Sequence, residues 1–185
     1  MDVQTILSVF LGIGLAASAG FRVFLPLFAL SLAAHFQVIP LNESWIWVGS
    51  FPALITLGIA MIAEIFAYYI PFVDNLLDTI ATPLAAIAGT AAMASTLVDL
   101  DPLITWGLAI IAGGGTATAM QGMTSVTRLA SSVKTGGLGN PVVSTAETGT
   151  AITLSALSIF VPILALIIVI FIFVIAFWLY RKFRK

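Results

Sequence analysis

From Val3 to Phe21 the chain carries no charge, and after Arg22 none returns before Glu43. A single straight helix over Val3–Val38 would be about 54 Å long at about 1.5 Å per residue. The hydrocarbon core of a bilayer is only about 30 Å thick. The run must therefore be interrupted. Gly20, Arg22 and Pro26 are the candidate breaks, since proline lacks an N–H and clashes with the preceding turn. A broken first helix and a short helical hairpin both satisfy this constraint.

The rest of the chain repeats the theme. Of 185 residues, 61% are hydrophobic and 8% are charged, too few charges to clothe a water-soluble globule. Pro40-Leu41-Asn42-Glu43-Ser44 reads as a polar turn, with Trp45 and Trp47 where an interfacial aromatic belt would place them. Phe51–Phe72 is the second span, ended by Pro71, Asp74 and Asn75. Leu76–Val98 is the third, followed by the acidic turn Asp99-Leu100-Asp101-Pro102, and Leu103–Thr127 is the fourth. Ser131–Thr145 reads as the longest polar stretch, with Gly136–Pro141 as a flexible loop. Thr148–Tyr180 is split by Pro162, and Arg181-Lys182-Phe183-Arg184-Lys185 closes the chain. The fold class is all-α, a polytopic transmembrane bundle with broken helices, in one integral membrane domain over residues 1–185.

The basic tail is expected in the cytoplasm by the positive-inside rule. Placing Lys134 there too, with Glu43, Asp99 and Asp101 opposite, requires two crossings within Thr148–Tyr180. One tilted crossing would send Lys134 outside. Met1-Asp2-Val3-Gln4 lacks the basic start of a signal peptide, so the first segment is expected to be retained. A weak internal echo, Pro71–Thr79 against Pro141–Thr148, raises a repeat of residues 1–98 and 103–180.

Several chemistries are set aside. There is no cysteine and one histidine, His35, so neither a thiolate nor a conventional metal site is expected, and no cofactor. Net charge of -1 gives no case for nucleic acid. Gly113-Gly114-Gly115 lacks the Lys-Ser/Thr of a phosphate loop and reads as close helix packing or unwound backbone. No catalytic pattern is recognisable, and enzyme activity is not expected.

The chemistry-bearing residues are those that apolar surroundings make costly. A charge at the bilayer centre costs at least about 2.5–3.5 kcal/mol. Arg22, Glu64, Asp78, Arg128 and Glu147 lie in or beside apolar segments, and should meet one another or line a wet cavity. Ser144-x-x-Glu147 reads as a capping box and Asn75-x-x-Asp78 as an imitation of one, so both acids have a structural reading as helix caps. Arg128 has one as an interfacial residue with its head among headgroups. Glu64 lies about a dozen residues into its span with no cap geometry available to it, and Ala60, Met61 and Tyr68 share its helix face.

Gly14–Pro26, Ile70–Asp78 and Gly139–Ser144 with Glu147 together resemble the family of small bacterial membrane proteins catalogued as domain of unknown function 4126. The resemblance spans nearly the whole chain and implies a compact multi-pass domain, with no substrate or activity attached. Family-like positions are Arg22, Asp74, Asn75, Asp78, Asn140 and Glu147. With Glu64 and Arg128 they form the expected binding set. The leading expectation is a transporter or channel of the bacterial inner membrane for a small ion or anionic solute, with these groups around a central cavity. The alternatives are a non-transporting scaffold or assembly factor, and a lipid-binding protein. The bilayer is the expected partner, and a homo-oligomer is left open.

Overall fold

The computed structural model describes residues 3–70, 73–98 and 100–183. Met1, Asp2, Pro71, Phe72, Asp99, Arg184 and Lys185 lie outside the described residues, as do the side chains of Asn75 and Phe183. The breaks expected at Pro71 and in part at Asp99 therefore go untested. Among the described residues the protein is all helical, and three helices are long and apolar enough to cross a membrane by themselves.

The first run is a hairpin. Helix α1 (Val3–Ala19) has 17 residues and α2 (Phe24–His35) has 12. At about 1.5 Å per residue they reach about 26 and 18 Å, so neither spans the bilayer core. Their neighbours show that the chain reverses between them. Gly14 lies against Ser158, Ser18 bonds Ala151 and Ser155, and Arg22 reaches Ser144 and Thr148. Helix α2 then runs back beside Ile152, Ile159 and Phe160, and the His35 ring bonds the Gly49 carbonyl. The turn falls at Gly20–Val23, as expected. Gly20 is required there because a Cβ would collide with Met120, and Pro26 sits in the first turn of α2, where a missing N–H is harmless. A re-entrant hairpin of this kind is stable at membrane depth only when protein surrounds its irregular backbone.

The remaining elements run from end to end around it. A 3-10 helix (Glu43–Gly49) carries the two tryptophans, whose rings stack at 6.1 Å. It is bent 66° against α3 (Phe51–Ala67), which starts on a Ser50 cap with Pro52 in its first turn. Next come α4 (Val73–Thr96), α5 (Pro102–Leu108), a π-helical segment (Ala109–Gly114), α6 (Gly115–Thr135), α7 (Asn140–Phe160) and α8 (Pro162–Phe183). From α5 to α6 the helix is continuous over 34 residues. The π-helical widening coincides with the glycines, where α4 and its neighbour touch backbone to backbone: a Cβ on Gly113 would lie 2.6 Å from the Gly89 carbonyl oxygen.

Two expectations are corrected. Helix α7 begins at Asn140, not near Thr148, and the Gly136–Pro141 segment read as a flexible loop is a tight turn at Gly136 and Gly137, whose φ of 62° and 87° suit glycine, running straight into α7. The physical reason is that Ser144, Glu147 and Thr148 are polar because they face a buried cluster, not water. Their helix is thereby long enough to cross, and the difficulty of fitting two crossings near the C-terminus disappears. Lys134, Arg181 and Lys182 consequently gather at one end of the bundle, with the starts of α4 and α7. Glu43 and Asp101, which caps α5, stand at the other.

Gly113→Leu should lower the thermal unfolding temperature in detergent, because overpacking costs about 1–3 kcal/mol. Gly115→Leu, which meets nothing within 4 Å, should not. Equal effects would show that the close approach is not required.

Candidate functional site

The hairpin tip creates the site. A helix that starts inside the bundle exposes N–H groups that no water can satisfy. Helix α2 has no side-chain cap of its own. Glu64 supplies one from α3: its Oε1 accepts from the Val23 N–H at 2.7 Å and its Oε2 from the Phe24 N–H at 2.9 Å. Both oxygens face the positive end of the α2 dipole. Glu64 thus does have a cap geometry, across helices, and it is the one buried residue of α3. Helix α3 otherwise rests on α2 and the 3-10 helix.

Beside this cap the tip places Arg22 at 1% exposure. Its Nε donates to Thr148 Oγ1 at 3.0 Å, and its Nη2 to the Ser144 carbonyl and hydroxyl at 2.9 and 2.6 Å. Its Nη1 lies 3.5 Å from Glu147 Oε2. Glu147 is shared with Arg128, which approaches in a fork: Nε donates to Oε1 at 3.0 Å and Nη2 to Oε2. The other arm of Arg128, Nη1, faces Asp78 Oδ1 at 3.6 Å without a hydrogen bond. Both guanidinium carbons lie over the Tyr68 ring, 4.2 and 4.0 Å from its centroid. Tyr68 is one turn beyond Glu64, so the face shared by those residues puts the cap and the ring in the same place.

Toward the basic end the network continues. Asn140, the first residue of α7, donates through Nδ2 to Asp74 Oδ2 at 3.1 Å and to Ser132 Oγ at 3.0 Å. Seven of the eight expected residues therefore fall on one connected region: Arg22, Glu64, Asp74, Asp78, Arg128, Asn140 and Glu147. The side chain of the eighth, Asn75, is outside the described residues. Three readings are revised. Glu147 and Asp78 are not caps, because both lie beyond the first turn of their helices, with Gly139 at the start of α7 and Val73 opening α4. Arg128 is not interfacial; it is 3% exposed. Ser144, Thr148 and Ser132 were not singled out as site residues, although the four-residue step from Ser144 to Thr148 places both hydroxyls on one face of α7.

The expected central wet cavity is replaced by close packing. Glu147 is 6% exposed, and Asp78, with 24% of its side chain exposed, is the most accessible member of the ion-paired group. The cavities that approach the cluster are apolar and open sideways. One of about 270 Å³ between α3 and α4 is walled by Glu64, Tyr68, Ala63 and Leu77. Another of about 540 Å³ lies between the α2–α3 pair and α7. No group of three His, Cys, Asp or Glu side chains placed to hold a metal occurs among the described residues. The Arg22 donors are largely engaged, so the cluster can take an anion only if a carboxylate yields its place. It can change charge only through its acids.

A helical membrane protein with a re-entrant hairpin, its tip held by a buried ionic cluster, is the class that fold and site define. The chain belongs to the family described as Domain of unknown function (DUF4126), whose model matches residues 9–182. No curated protein and no solved structure matches it.

Glu147→Leu should cost about 3–5 kcal/mol of stability, since it strands two buried guanidiniums. Asp78→Asn should cost about 1–2 kcal/mol, because the pair is buried at its facing atoms but makes no hydrogen bond and the amide keeps an acceptor there. Thermal unfolding in detergent would compare them, and equal losses would contradict the assigned hierarchy.

Proposed function

We propose that this protein is a transporter of the bacterial inner membrane for a small ion or anionic solute, gated at the tip of the α1–α2 hairpin. The observation that supports this reading is the cap on α2: its positive end is closed by a carboxylate from α3, a helix whose one buried residue is that glutamate. Transporters use interrupted helices in this manner, aiming half-helix N-termini at anionic groups and moving one element against another. Here Glu64 is the latch. Withdrawal of α3 toward the α3–α4 cavity would free two backbone N–H groups next to Arg22 and Arg128. Asp78, the most accessible acid of the ion-paired group, is the entry from the basic end. Lys134 and the basic tail favour the cytoplasm for that end by the positive-inside rule. No enzymatic step and no nucleic acid enters the reading.

A scaffold or assembly role is the second reading. The close packing of the cluster, with its ion pairs made and its neighbouring cavities apolar, favours it.

Purified protein in liposomes carrying an entrapped pH-sensitive dye, challenged with sodium, potassium, chloride and acetate gradients, distinguishes the two. Transport predicts flux that is lost in Glu64→Gln, whose single oxygen cannot serve both N–H groups, and in Glu147→Gln, with circular dichroism unchanged. If Glu147→Gln fails to fold, Glu64→Gln carries the comparison. Unchanged flux in the folded variants overturns the transport role. No flux from the native protein, with a stoichiometric membrane partner on purification, establishes the scaffold.

A further inference from the structure

We propose that the crevice between α6 and α8 binds an anionic phospholipid, one acyl chain in the crevice and the phosphate at the basic end. The cluster described above plays no part in this site. Helices α6 and α8 diverge around a space of about 940 Å³, open to the side and lined almost wholly by apolar atoms. Ala119 and Gly122 keep the α6 wall low, and a Cβ added at Gly122 would meet nothing within 4 Å. Ile172 and Ile175 form part of the opposite wall. A slot of this shape between helices suits a flexible hydrocarbon chain.

Charge complementarity selects the headgroup. The crevice reaches Tyr180, and Arg181 and Lys182 follow at once on neighbouring faces of α8, their cationic groups over the Phe177 and Trp178 rings at 6.0 and 5.2 Å, within a side chain's swing of its end. Across the mouth, Lys134 stands seven residues beyond Thr127 on the same face of α6, about 10 Å further toward the basic end. No acidic side chain lines the crevice. Basic groups gathered at the end of an inter-helix pocket favour phosphate-bearing lipid heads, each Lys or Arg contributing about 1 kcal/mol near an anionic surface.

Native mass spectrometry of the detergent-solubilised protein, titrated with phosphatidylglycerol or phosphatidylcholine, tests this. Phosphatidylglycerol should bind at least about tenfold more tightly, from two or more basic contacts. Gly122→Trp, which fills open space and leaves the fold intact, should weaken it about tenfold by excluding the chain. Arg181→Gln with Lys182→Gln should reduce phosphatidylglycerol toward the phosphatidylcholine level. Equal binding of the two lipids overturns the proposal. So does native-like phosphatidylglycerol binding by Gly122→Trp, which would mean attraction to the basic tail alone. A dimer of the native protein that Gly122→Trp separates also overturns it, by showing a second copy in the crevice.

Discussion

A helix that begins inside a protein-filled membrane must find acceptors for its first N–H groups, and the arrangement at the hairpin tip follows from that demand. Glu64 meets it with both oxygens. Because its carboxylate is committed to α2, it can also sit near Arg22 and Arg128 without a direct ion pair to either. The guanidiniums are left to share Glu147, with Tyr68 beneath them. Each group is tolerable only because the next one is present, which is how buried charge persists in surroundings that would reject it singly.

The same logic orders the helices. Arg22 holds the first turns of α7 inward, so a segment rich in Ser and Thr becomes part of a 21-residue helix. Small residues do the complementary job on the other flanks: Gly20 against Met120, and Gly89 against Gly113, let backbones approach where side chains would hold them apart. Helices α3 and α8 expose the most apolar surface, and the lateral cavities border them. Close packing is thus concentrated at the tip of the hairpin and open space at the periphery.

How much of this could be read from residues alone divides along physical lines. The hairpin was legible because length against bilayer thickness forbids a single crossing, and Gly20, Arg22 and Pro26 mark where the break falls. The gathering of Arg22, Asp78, Arg128 and Glu147 was legible because lipid penalises each. The start of α7 was not, since hydropathy treats a polar turn facing water and a polar helix face turned to a buried arginine identically. The capping boxes misled for a related reason: spacing along one helix says nothing about an acceptor arriving from another. Glu64 shows this best. Its isolation in the sequence marked it correctly, while its partners, 40 and 41 residues earlier, come close only through the fold. The echo between Pro71–Thr79 and Pro141–Thr148 supplies, on its described part, Asp74 and Asp78 at one helix start and Ser144 and Glu147 at the other. These starts meet, although their meeting does not decide common ancestry.

The span between Arg22 and its partners on α7 bears on biogenesis. Ser144 and Thr148 lie 122 and 126 residues downstream. At synthesis rates of about 5–20 residues per second, they emerge on the order of ten seconds after the tip. Throughout that interval the α1–α2 segment is too short to cross in either half and holds a guanidinium whose final lodging has not been made. The hairpin can rest on α4 before then, but the lodging of its arginine is completed only once α7 has been made.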